Sequence, residues 1–197
     1  MKTIRTFLFL MVAALVLLPT ASAQDAQTKA KLAEIRKAYA NAMKLEEQGK
    51  KGPNYNYQTF RWFQSDPNGN WEKKIDFIVD PSGYVEELDL YYSILMFVRQ
   101  TINKNNVQEF LFDEDGELLF VFTREIYEED GPIVEERYYY GKEGSFWKIV
   151  KNLDRKTGKV LKETAEPTEA ADGTALFLHR VGNDLYEAFG ALNVMYD

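Results

Sequence analysis

The chain has 197 residues, with 24 basic against 31 acidic side chains, a net charge of −7, one histidine and no cysteine. A field of that sign repels phosphate backbones and anionic lipid surfaces, so nucleic acid is not an expected partner. The missing cysteines exclude disulfides and thiol nucleophiles, and a single imidazole excludes zinc sites built from several His or Cys ligands.

Residues 1–23 read as a cleavable signal peptide. Lys2 and Arg5 make a basic start, Phe7 to Leu18 is an unbroken apolar run, Pro19 interrupts it, and Ala21-Ser22-Ala23 offers a small-x-small cleavage site. The apolar run is shorter than the roughly 20 residues of a membrane span. The expectation is export, periplasmic or secreted, with no membrane span once the signal is cleaved. Residues 24–197 then form a single α+β domain, large enough to bury about two-thirds of its unfolded surface without disulfides. Loss of Lys2 and Arg5 takes its charge from −7 to −9.

Asp25 to Gln48 predicts a helix, with Leu32, Ile35, Tyr39 and Met43 in one apolar stripe and Gly49, Gly52 and Pro53 as the stop. From Asn54 the period changes to two, which predicts a strand through Phe63, a turn at Asp66-Pro67-Asn68-Gly69-Asn70, and a second strand from Trp71 to Val79. Three stretches then resemble one another, from Ile75, Gln108 and Glu136. Each is a β-rich run, a polar turn ending in Gly83, Gly116 or Gly144, and a second β-rich run, which predicts three hairpins. Their uneven spacing favours a meander over a repeat array. Residues 91–102 predict a strand on their Tyr, Ile, Phe and Val content, although periodicity alone does not separate strand from helix. Further turns are expected at Glu129-Asp130-Gly131-Pro132 and Lys156-Thr157-Gly158-Lys159. Glu163 to Pro167 reads as loop, and Thr174 to Leu192 as a second helix whose interior Gly182 costs about 1 kcal/mol relative to Ala. The fold class that results is α+β, an antiparallel β-meander of about six to eight strands packed with an N-terminal and a C-terminal helix. Both faces of the central sheet are expected to be covered, one by the two helices and the other by a curled sheet edge or a partner, since Leu118, Phe120 and Phe122 alternate with Leu119 and Val121.

Chemistry is sparse. His179 has no Ser elbow to pair with. Asp66-x-Asn68-x-Asn70 begins like a calcium loop, but its sixth and twelfth positions are Trp71 and Phe77, and Asp113 to Glu117 reads as a hairpin turn. No metal, cofactor or catalytic residue is expected. Acid pairs such as Glu87 with Asp89, or Asp113 with Glu125, match the spacing of glycoside hydrolases only as any two of many acids do. The aromatic content is more specific. Tyr55, Tyr57, Trp62, Tyr138, Tyr140 and Trp147 fall in predicted strands, where a solvent-facing row would offer amphipathic rings to a glycan or a protein. Tyr138 and Tyr140 must share one face and Tyr139 the other. The reading is a non-catalytic binding protein for a protein or glycan. A carboxylate-dependent glycan hydrolase and an inhibitor or immunity-type partner of a secreted enzyme are the alternatives.

The exported start, the helix EIRKAYANAMKLEEQGK and the hairpins FLFDEDGELLFVF and ERYYYGKEGSFWKIV together resemble small periplasmic proteins of the Bacteroidota, over roughly residues 30–155. The resemblance implies an antiparallel sheet packed with helices and implies no activity. The hairpins also resemble the short repeats of MORN-type proteins, without their regular spacing.

Overall fold

The computed structural model describes residues 21–51, 57–66, 69–85, 90–102, 106–126 and 131–194. Most of the expected signal peptide, residues 67–68 of the turn expected at 66–70 and residues 129–130 of that expected at 129–132 lie outside these residues. The chain divides into two compact units, 1–37 and 38–197. Helix α1, Ala21–Lys51, is built from Ala, Lys, Glu and Gln, all strong helix formers, and ends on Lys50 and Lys51, which complement the negative end of its dipole.

The second unit is dominated by one eight-stranded sheet. Its strands are β1 (Tyr57–Asp66), β2 (Gly69–Val85), β3 (Leu90–Ile102), β4 (Asn106–Phe112), β5 (Leu118–Ile126), β6 (Ile133–Gly141), β7 (Gly144–Leu153) and β8 (Val160–Pro167). They lie side by side in chain order, every neighbour antiparallel. Helix α2 spans Gly173–Val194. The chain is thus α+β with the meander and the two helices expected, and residues 91–102 are strand. No helix among the described residues is long and apolar enough to cross a membrane.

Within the second unit, α2 and the end of α1 take opposite faces of the sheet, which corrects the expectation that both helices share one. Phe77, Val98, Phe110, Val121, Tyr138 and Tyr140 point one way and pack with Ala175, Leu178, Leu185 and Phe189 of α2. Phe97 and Phe120 point the other way, and Tyr39 of α1 meets their rings edge-on at 5.8 and 5.5 Å. Apolar residues on both faces of β3 to β5 follow from this, since each face has its own cover.

Two sequence expectations fail for a physical reason. The hairpin around Gly83 does not form, because β2 continues to Val85 and absorbs Pro81 and Ser82 in a register shift opposite β3. Among the described residues Pro81 lies past the last residue that β1 pairs, Ile78. Residues 163–167 are strand rather than loop. Strand β8 is exposed along almost its whole length and has no buried face to impose a period. Its backbone pairing to β7, from Leu153↔Val160 to Trp147↔Pro167, holds it at the sheet edge.

The turns at Gly116, Gly144 and Gly158 form as expected, each with a positive φ. Gly116 also lies against α2, where a Cβ would stand 2.6 Å from the Tyr186 hydroxyl. Gly116→Ala is therefore expected to destabilise the protein by about 1–3 kcal/mol, through both the φ of +85° and the collision. Urea unfolding of the variant against Gly144→Ala, where a Cβ meets nothing within 4 Å, separates the two contributions.

Candidate functional site

Helix α2 packs on its sheet face with Phe77, Val98, Phe110, Val121 and Tyr138. Alternation places Gln100, Gln108, Thr123 and Glu136 on that face, and the register aligns them as neighbours across four strands: Gln100↔Gln108, Gln108↔Thr123, Thr123↔Glu136. Ile75 precedes them and Val150 follows. One step further along the strands, the same face carries Lys73, Ile102, Asn106 and Glu125. Two rows of this face are thus largely polar, although both flank the apolar core.

Glu136 closes the first of these rows. Its Oε1 accepts a hydrogen bond from Tyr138 Oη at 3.4 Å and its Oε2 one from Thr123 Oγ1 at 3.5 Å, both long. Burial raises the Glu136 pKa, and the nearby charges of Glu125 and Asp172 add to the rise against the two hydrogen bonds. Tyr138 is likewise raised, by burial first and then by Glu136. Gln100 is only 1% exposed, and its Oε1 has no hydrogen-bond partner. A buried unpaired acceptor costs about 1–3 kcal/mol, which makes it a place where a donor is missing.

The band ends at the start of α2. Asp172 caps the helix, its Oδ1 accepting from Ala175 N at 3.0 Å while Lys148 Nζ donates to Oδ2 at 3.2 Å. Burial alone would raise the Asp172 carboxyl, but the Ala175 bond and the Lys148 ammonium outweigh it and hold the group below its ordinary value.

A second polar cluster lies on the α1 face. Arg99 bonds Glu109 through Nε at 2.8 Å and reaches Glu46 of α1 through Nη1, while Tyr39 Oη donates to Glu109 Oε2 at 2.6 Å and Lys50 Nζ to Glu46 Oε1 at 2.6 Å. Burial works against the Arg99 charge, and Glu109 and Glu46 more than offset it. Both carboxylates are buried and engaged, so this cluster fastens helix to sheet rather than facing a ligand.

The residues singled out from sequence do not converge. Tyr138 and Tyr140 share a face as alternation requires, but each is 2% exposed beneath α2, and Tyr140 Oη donates to the Ala175 carbonyl at 2.9 Å. They are core, not a platform, because α2 covers the face they share. Trp147 pairs with Tyr139 and stands half-buried on the opposite face. Tyr55 lies outside the described residues, as do the side chains of Tyr57 and Trp62. Glu87 and Asp89 also lie outside them, while Asp113 precedes β5 and Glu125 stands near its far end. His179 is half-buried at the core edge, 5.6 Å from the Tyr140 ring. Asp113 Oδ1 accepts from Asp115 N and Glu117 N, and no group of three metal-ligating side chains occurs among the described residues. No protein-family model, curated protein or solved structure matches the chain.

Sequence reasoning misses the polar band because its members alternate with apolar residues of the other face, so Gln100, Gln108, Thr123 and Glu136 read as ordinary solvent-facing strand positions. A long strand with Gln between Val98 and Ile102 is the one available signal.

The raised Glu136 pKa sets a pH dependence. The native state holds a proton more readily than the unfolded chain, so its stability falls as pH rises from the ordinary 4.5 through the folded value. Glu136→Gln removes that loss, and its urea midpoint is expected to gain on the wild type as pH rises across this window. Asp172 has the opposite sign: its contribution is present above the ordinary 3.8 and fades as pH falls through its lower folded value.

Proposed function

We propose that the protein is exported and acts as a non-catalytic binding protein, taking its ligand on the polar band beside α2. Export rests on the basic start, the apolar run and the Ala21-Ser22-Ala23 site, and N-terminal sequencing of the exported protein tests it, with Gln24 as the expected first residue. Binding rests on one observation above the others: the Gln100 Oε1 acceptor is buried, unpaired and in register with Glu136, whose carboxyl is itself raised by burial. Perturbed titratable groups on one face with an unsatisfied polar atom mark a candidate site that a ligand completes.

The test is a thermal-shift screen of glycans, amino acids, short peptides and polyamines. A native-state ligand at a hundredfold excess over its Kd adds about 2.7 kcal/mol of stability. The shift is expected to shrink in Glu136→Gln and in Gln100→Leu. A panel in which no shift depends on either residue overturns this reading.

One observation favours a second reading, hydrolysis of a glycan. Glu125 and Glu136 stand diagonally on neighbouring strands of one face, about 7–8 Å apart at the backbone, and burial first and the Glu125 charge second raise the Glu136 pKa, the direction a general acid requires. Turnover of any glycan that is abolished in both Glu125→Gln and Glu136→Gln would favour it over simple binding.

A further inference from the structure

The polar band carries opposite charges at its two ends. Lys73 of β2 stands at one, and Glu125 and Glu136 of β5 and β6 at the other, all on the α2 face. Three strand-to-strand spacings separate β2 from β5, about 14 Å. Ile102 and Asn106 stand directly between Lys73 and Glu125, and Gln100 and Gln108 lie one step along the same strands, where their amides each offer a donor and an acceptor and the Gln100 acceptor is buried without a partner. Burial lowers the Lys73 pKa and raises that of Glu136, so each end holds its charge at a cost that a counter-charge would relieve.

Resting on the polar band being the binding site, we propose that its ligand is a short peptide bound as a zwitterion. Its carboxylate meets Lys73, its free ammonium meets Glu125 and Glu136, and its backbone amides lie against Gln100 and Gln108. Length follows from the spacing. An extended residue spans about 3.3–3.6 Å, and the long Lys and Glu side chains close part of the gap, so about three to four residues fit. A single amino acid is too short to reach both ends. A simple amine satisfies only the acidic end, and a neutral glycan satisfies neither charge.

Calorimetric titration of the purified protein with tri-alanine, its N-acetylated form and its C-terminal amide tests this. Each cap is expected to weaken binding by about tenfold or more, the loss of one charge-assisted contact. The acetylation penalty should vanish in Glu125→Gln/Glu136→Gln, and the amidation penalty in Lys73→Met. Melting curves by circular dichroism establish that these variants fold. Equal affinity for capped and free peptide overturns the proposal. So does an absence of tri-alanine binding, and the screen then separates two cases. A different ligand with a Glu136-dependent shift leaves the band as a binding site for something other than a peptide, whereas no such ligand removes both readings.

Discussion

Replacing Arg99 with Met is expected to lower stability by about 3–5 kcal/mol, the usual cost of orphaning a buried charge. Arg99 is the shared cation of two carboxylates that reach it from different elements, Glu46 from α1 and Glu109 from β4. Met fills the space of the aliphatic stem but leaves both acids buried, with Lys50 the remaining cation on Glu46 and the Tyr39 hydroxyl on Glu109. The stem matters less than the charge, since the guanidinium packs only 5.4 Å above the Phe97 ring and Met retains apolar contact there. The triple variant Glu46→Gln/Arg99→Met/Glu109→Gln separates charge from packing. It removes the orphaned acids and should recover most of the loss, as replacing whole buried ion pairs often does. Urea unfolding at neutral pH measures all three proteins. Should the triple variant be no more stable than Arg99→Met alone, the loss lies in packing and the network is not electrostatic.

The same network shows why part of this fold is readable in the sequence and part is not. Alternation marks β4 to β7, and Gly116, Gly144 and Gly158 mark the turns, because each needs a backbone conformation that few residues adopt. The helices are visible from their stripes. Their faces are not, since Tyr39 and Glu46 acquire their partners Phe120, Arg99 and Glu109 only through contacts remote in the chain. The misreading of Tyr138 and Tyr140 follows directly: alternation shows that the two rings share a face, but not that a helix covers it. Strand β8 escapes detection for the reverse reason, because an edge strand with both faces in water has no apolar period to read. The polar band is a tertiary feature throughout. Its members are single residues on separate strands, joined by register alone, and nothing local in Gln100 distinguishes it from an exposed glutamine.

Phe110→Ala is expected to cost about 3–5 kcal/mol, and its interaction with Gly182 carries more information than the loss itself. Phe110 is fully buried at the centre of the α2 face, and a Cβ added at Gly182 would come within 3.3 Å of its ring and 3.2 Å of the Leu118 methyls. Gly182 thus gives up about 1 kcal/mol of helix propensity for a close approach of α2 to the sheet. In the wild type, Gly182→Ala gains the propensity and loses the fit, so the two effects oppose each other. Truncating Phe110 removes one of the atoms that crowd the new methyl and leaves a cavity beside it. In that background Gly182→Ala should become stabilising, by up to about 1 kcal/mol. The double-mutant cycle is read from urea midpoints, and a coupling energy near zero would mean that α2 already stands off the sheet at Gly182. A clear favourable coupling means that the glycine sets the height of the helix over Phe110 and Leu118. That height determines how much of the face α2 seals, and so how closely the neighbouring row at Gln100 and Thr123 is shut from water.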